Sequence, residues 1–483
     1  MKVVRARFFL NSLLCLGFAL GIGTAASATT PVVTVTLPTN NSTVPSQVHY
    51  VATASSPQCA KGIAAMRIYS APSVGAYTVN SNSLDTNITL SPGTYNTVVQ
   101  AWDNCGGVGK TPVTIIVKGT SVGGGQPAKF LYSTDYVSGK VYGYVINPTT
   151  GALTPNGQNP PWAHWGPTRV ASDKGGYRLY IVNQGSKDVN GYFINRSNGY
   201  LSSVPGSPFS IGEQPIAIAV HPSGKYVFVT AINNAVYALA VQSDGSLKLV
   251  AGSPFPTQFD PQALVVDPTG KYLYVSDSQT NRIDAYSIGA TDGTLTPVPG
   301  SPFVEPNSGG CVGAIDMAVD ASGQFLVVPA VCLGTEVYRI NAADGSIAQV
   351  PGSPFPIPAS EGPFVALSVA IDPLERFVYV SAQYCHSGCS VFTETYGFNA
   401  QTGALNFLKD SIGGCSTWVR ADPSGNFVYT LGETNGCTGN ANGNLIQGLW
   451  LDPSTGALIS VPGSPFSSPN PDFEYKVGLA ITP

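Results

Sequence analysis

Residues 204–209 read VPGSPF, and the same six letters return at 298–303, 350–355 and 461–466, with VAGSPF at 250–255. Pro205 and Pro208 have no N–H to give to a ladder, so the stretch cannot lie inside a central strand. It reads as the end of an outermost strand, with Phe209 and its copies left to wedge between neighbouring units. Its role on this reading is architectural. The first four glycines of the hexamer fall at 206, 252, 300 and 352, and the fifth at 463, about two periods further on. One repeat has therefore lost its copy, where the chain reads NFLKDSIGG.

Each period carries the same four parts. An apolar strand ends in Asp-Pro or His-Pro, as in IAIAVHPSG and VRADPSG, and an aromatic and β-branched strand follows, as in YVFVTA and YLYVSD. A third strand such as RIDAYSI then leads through a DGSL or TGAL turn into the edge strand. Four short strands at a fixed period are the blade of a β-propeller. The second strand occurs seven times, starting near Phe130, Leu179, Val227, Leu273, Leu326, Val378 and Val428. The first unit has no inner strand of its own, while the chain ends in KVGLAITP, an inner strand with no partner. Pairing the two ends closes a seven-bladed ring over 129–483 and removes the open edges.

The Asp-Pro-Ser/Thr-Gly-Lys-Tyr-x-Tyr-Val units resemble those of lactonase-type (6-phosphogluconolactonase-like) seven-bladed propellers, and also the Tyr-Val-Thr-Asn repeat propellers of surface proteins. The resemblance covers residues 129–483. It implies the fold, and it leaves open both an enzyme and a passive binder, since one scaffold hosts many functions. Lactonase-type enzymes carry a Pro-Arg-His stretch on an inner strand and an Asp-x-Gly-x-Asp stretch in a later blade. The corresponding places here read GPTRV, keeping only Arg169, and AVCLGTEVY, with neither Asp.

Residues 31–118 follow another pattern. Short alternating runs such as QVHYVATAS and NTVVQAWDN, separated by Pro, Asn, Gly and Ser, predict a small all-β sandwich. It resembles the immunoglobulin-like modules of exported bacterial proteins, and a flexible linker over 119–128 follows by composition. The whole chain is thus expected to be all-β: an immunoglobulin-like β-sandwich before a propeller closed by 476–483.

Lys2, Arg5 and Arg7 precede an apolar run from Phe8 and an Ala-Ser-Ala at 26–28, the pattern of a secretory signal peptide over 1–28. The mature chain is then expected to be exported, periplasmic or extracellular, with no membrane span. Charged residues make up 10% of the chain and the net charge is −4, with no basic cluster, which excludes nucleic-acid binding by phosphate neutralisation. Cysteines in an exported chain favour disulfides. The expected pairs are Cys59–Cys105, Cys311–Cys332, Cys385–Cys389 and Cys415–Cys437. A metal site of Cys385 and Cys389 with His386 is the alternative for the third; otherwise no metal and no cofactor are expected.

In a propeller, the second-to-third loops and the crossings between blades share one face. Those loops vary here, whereas the opposite turns are uniform, so the variable face is read as the functional one. The crossing into blade two reads PPWAHWGPTR, placing Trp162, His164, Trp165 and Arg169 there; blade seven adds Trp418 and Arg420, and blade one Asp135 and Tyr136. Arg420 replaces an alanine of most other inner strands, and Arg169 and Asp316 share a position held elsewhere by Ala217 and Ala263. Long charged side chains among alanines need a partner: either one another or a ligand. The first reading is an exported ligand-binding or interaction scaffold. It would take a small anionic or saccharide ligand on Trp162, Trp165, Trp418, Asp135, Tyr136 and Asp316, and meet a cell-envelope or protein partner through the sandwich. The alternative is a lactonase opening a sugar-acid lactone at the channel mouth, with His164, Arg169 and Arg420 as catalytic residues.

Overall fold

The computed structural model describes residues 30–44, 47–71, 74–90, 93–117, 129–277, 279–304, 313–330, 334–356, 364–385, 389–411, 416–432, 445–467 and 476–483. Among them every regular element is a β-strand, and no helix is long and apolar enough to cross a membrane. The expected signal peptide and linker lie outside the described residues. The chain falls into two compact units, a smaller one drawn from residues up to Asn40, His49–Ile88 and Asn96–Thr114, and a larger one that includes Ile115–Pro483.

The N-terminal strands form two sheets. One orders Val32–Leu37, Gln47–Ser55 and Ser83–Thr89; the other orders Ser42–Val44, Val108–Val117, Gly93–Asp103, Ile63–Ala71 and Val74–Val79. Alternate residues turn inward: Val48, Tyr50 and Ala52 from the first sheet and Met66, Ile68, Val99 and Ala101 from the second are fully buried. Cys59 and Cys105 form a disulfide with Cα atoms 5.9 Å apart. Asp103 beside it accepts from the backbone N–H groups of Cys105 (3.0 Å) and Gly107 (2.7 Å) and from Ser56 (2.7 Å). The other three expected pairs lie outside what is described: Cys311, Cys332, Cys415 and Cys437 as residues, Cys385 and Cys389 in their side chains.

The larger unit contains seven antiparallel sheets in sequence order. Their inner strands, from blade one to blade seven, are Lys476–Thr482, Pro167–Ser172, Pro215–Val220, Pro261–Val266, Ala318–Val319, Phe364–Ile371 and Ser416–Ala421. The last strand of the chain pairs with the first of the ring, Ala480 opposite Tyr132, so blade one is built from both ends. The apolar cores lie between sheets rather than within them. One cluster joins Tyr180, Val182 and Val189 of blade two to Val227, Val229 and Leu239 of blade three.

The repeated hexamer behaves differently from the expectation that it ends the outermost strand. In blade two that strand, Leu201–Ser203, pairs with the C-terminal half of the third strand, Asp188–Ile194. The hexamer then loops out, and Phe209–Ser210 returns to pair with the N-terminal half of the same third strand. The prolines, which cannot donate, sit where the edge leaves the ladder. The serine between them closes the gap, since Ser207 Oγ accepts the N–H of Gly191 at 3.0 Å. Ser253, Ser301, Ser353 and Ser464 do the same for Ala238, Ala285, Val337 and Gly448, at 2.9–3.1 Å. The hexamer is thus a spliced break in the edge strand, and blade six, which lacks it, runs Leu405–Ser411 as one strand with a register shift at Leu408. Phe209, Phe255 and Phe466 each pack on a cluster shared by two blades.

The opposite turns are uniform for a plain reason. Asp173, Asp267, Asp320 and Asp422 each use a carboxylate oxygen to accept backbone N–H groups of the turn that follows, as in Asp267 to Tyr272 at 2.7 Å. These side chains make tight inner-to-second hairpins and carry no chemistry beyond that.

Candidate functional site

Strand register fixes which inner-strand positions are equivalent around the ring. Ala217 of blade three faces Thr230, and the same place is held by Arg169, Ala263, Ser368, Trp418 and Gly478 in blades two, four, six, seven and one, while in blade five Asp316 precedes the short inner strand, two residues ahead of Ala318 as Ala217 is of Ala219. Two residues on, the place is alanine in blades one, two, three, five and six, Val265 in blade four and the charged Arg420 in blade seven. These places carry charged, hydroxyl or indole side chains in blades two, five, six and seven, and only glycine or aliphatic ones in blades one, three and four. A cavity of about 320 Å³ opens between the two halves, bounded by Arg169, Asp316 and Arg420 on one side and Ala217, Ala263 and Leu264 on the other.

Arg420 and Asp316 are brought together. Arg420 Nη1 donates to Asp316 Oδ2 at 3.1 Å, to Ser368 Oγ at 3.0 Å and to the carbonyl of Val419 at 2.8 Å. Ser368 donates to Asp316 Oδ2 at 2.7 Å, and the Val369 N–H is a third donor to that oxygen at 3.2 Å. Ser368 carries no signal in the sequence beyond standing at the position of Ala217, and only the register reveals it. Arg169 lies with its guanidinium 3.9 Å from the centroid of Trp418, while Arg420 approaches the same ring at 5.3 Å. Blade one presents Gly478 at this register, packed so closely that a Cβ would meet Thr134 Oγ1 at 2.7 Å and Val170 Cγ1 at 3.1 Å. Trp418 is only 6% exposed. It serves as a platform for the two cations and does not itself line the cavity.

The remaining candidates gather elsewhere, on the rim over blades one and two. His164 Nδ1 lies 2.9 Å from Asp188 Oδ2, and its ring stacks at 4.6 Å on Trp162. Asp188 Oδ1 accepts from Asn183 Nδ2 at 2.7 Å, and the same Nδ2 reaches Asn190 at 2.6 Å. Trp162 closes an isolated bridge to Lys140, and Tyr136 packs near Gly166. Asp135 is fully buried and caps its own hairpin, its Oδ1 accepting from Val137 at 2.9 Å and Ser138 at 3.0 Å. None of Asp135, Tyr136, Trp162, His164 and Trp165 lines the channel cavity. Reading the sequence gathered them with the arginines because all lie in adjacent blades; the structure holds two separate clusters. Asp188 and Asn183 were missed, although the run QGSKD, with an acid where blade three has alanine, was visible.

A family model described as "Lactonase, 7-bladed beta-propeller" matches residues 126–313. Solved structures of the same architecture include a candidate 6-phosphogluconolactonase from Bacteroides fragilis (16% identity, TM-score 0.59, 74% of this chain and 99% of that one). A second such protein comes from Bacteroides uniformis (16%, TM-score 0.58, 74% and 100%). A periplasmic gluconolactonase from Pseudomonas aeruginosa shares 18% identity at a TM-score of 0.57, over 73% and 99%. No curated protein matches the chain by sequence. At these identities the likeness is one of fold: the larger unit has the β-propeller architecture of these proteins.

Proposed function

We propose that the protein is an exported lactonase-type propeller that takes a small anionic sugar derivative into its channel cavity and opens a sugar-acid lactone there. The carrying observation is the charge of that cavity. Its described lining holds two guanidinium groups and one carboxylate beside an aliphatic wall. A planar guanidinium pairs bidentately with carboxylate or phosphate, and 320 Å³ suits a single sugar ring. Lactone opening needs a base for water and a donor for the developing oxyanion. Arg169 is the donor, and Asp316, the one acid of the lining, is the base. This replaces His164, which stands outside the cavity.

Support comes from the fold and from structural neighbours that include lactonases; the disulfide in the smaller unit fits an oxidising compartment. In this proposal the smaller unit is an immunoglobulin-like module that meets a cell-envelope or protein partner.

The second reading, a binder without catalysis, is favoured by the three donors already gathered on Asp316 Oδ2, which leave that carboxylate a structural anchor for Arg420. Turnover of glucono-δ-lactone and its 6-phosphate, followed by pH-stat, separates the two. The enzyme reading expects hydrolysis above background that Arg169→Ala lowers by roughly 100-fold, the scale of losing one oxyanion donor. No turnover on either lactone leaves the binder.

A further inference from the structure

We propose a second ligand site, apart from the channel, on the rim over blades one and two, and that it receives a pyranose ring of an oligosaccharide. Trp165 is 68% exposed, Trp162 54% and Tyr136 39%, in a chain with only five tryptophans. Clustered exposed aromatics on a soluble surface mark contact sites.

The cluster is built, not loose. The carbonyl of Trp165 accepts the N–H groups of Gly185 (3.1 Å) and Ser186 (3.2 Å), and Tyr192 donates to the carbonyl of Trp162 at 3.0 Å. Gly139, at φ 66°, lets the loop close: a Cβ there would lie 2.4 Å from the His164 carbonyl and 2.7 Å from Trp162 Nε1. His164 itself sits at φ 77°, a conformation that an L side chain adopts only when its surroundings impose it.

The chemistry of the dyad selects the ligand. Asp188 is buried, and one of its oxygens is taken by Asn183. The other faces His164 Nδ1, so that nitrogen carries the proton and Nε2 is left for a partner. Nε2 accepts in the neutral ring and donates in the charged one, and a hydroxyl can answer either. A pyranose offers hydroxyls on its edge and a C–H face for an indole. Lys140, bridged to Trp162, and Lys187, next to Asp188, disfavour a cationic ligand. Two lysines in a chain of net charge −4 do not neutralise a nucleic-acid backbone.

The test is calorimetric titration of the full mature chain with cellotetraose, maltotetraose, tetra-N-acetylchitotetraose and tetragalacturonate. At least one should bind, with Trp165→Ala and His164→Ala each weakening it about tenfold or more, a loss of 1.4 kcal/mol or above. Arg169→Ala should leave that binding unchanged, which separates this site from the channel. Trp165 is exposed enough for its alanine variant to melt like the parent, so lost binding there is not lost folding. Binding of tetragalacturonate alone also supports the site and assigns the carboxylates to the two lysines. Failure of all four to bind, or binding that Arg169→Ala removes and Trp165→Ala does not, overturns the proposal.

Discussion

Blades three and seven share one register and end in opposite chemistry. Where blade three carries Ala217 and Ala219, blade seven carries Trp418 and Arg420. Nothing in the pairing of the strands differs: both inner strands skip one residue after their first pair and then run regularly. The backbone repeat thus makes the ring, and substitutions at two registered positions make the cavity. Function is written on the fold as departures from its own repeat.

The largest expected effect comes from removing the strand that closes the ring. Deleting 476–483 strips blade one of its inner strand. Exposed edges on both sides should give aggregation or loss of a cooperative thermal transition. A truncated protein that melts like the parent would contradict the closure.

A second contrast lies on the third strands, where one registered position carries acids in blades four, five and six, Asp284, Glu336 and Glu394, and neutral side chains elsewhere. Burial pushes the Glu336 carboxyl up to about 7, against the opposing hydrogen bond from Tyr338. From the ordinary glutamate range up to about 7, the folded chain holds a proton that the unfolded chain has lost. Stability should therefore fall as pH rises through that window, by on the order of 3 kcal/mol from this group. Glu336→Gln should flatten that part of the denaturation profile, read by urea midpoints between pH 4 and 8, a range set around the window. An unchanged slope would remove Glu336 from the account.

Next in size is the Arg420 cluster. Arg420→Ala restores the rule of the other blades yet leaves Asp316 beside only neutral donors, at a cost of about 2 kcal/mol. Replacing Asp316 by alanine as well should recover most of that loss, because no charge is then left without its partner. A double variant as unstable as the sum of the singles would show that the pair does not act as a unit. Smallest is Gly478→Ala, which puts a methyl against Thr134 and Val170 and should cost about 1 kcal/mol. If it melts unchanged, the contacts around Gly478 give way at no cost.

The ring, its blade number and its closure were legible because most units repeat the same local signals: a capping Asp, a glycine turn and a Gly-Ser-Pro-Phe stretch. The serine splice was not, because a hydroxyl accepting from the third strand leaves no periodic trace that hydrophobic spacing can detect. The charged positions were also visible, since a cation among alanines stands out at a fixed register. What could not be read was which of them meet. Arg420 finds Asp316 across blade six through Ser368, while His164 turns to Asp188 within blade two. Blade adjacency groups such residues, and only side-chain direction divides them.

The central claim is that Arg169 supplies the anion-binding charge of the channel cavity. Calorimetric titration of the parent and of Arg169→Ala with gluconate and 6-phosphogluconate tests it most directly. The account predicts binding by the parent, tighter for the phosphate, and about a tenfold or greater loss in the variant at matched melting temperature. Equal affinity in the two proteins, or no binding of either acid by the parent, would contradict it.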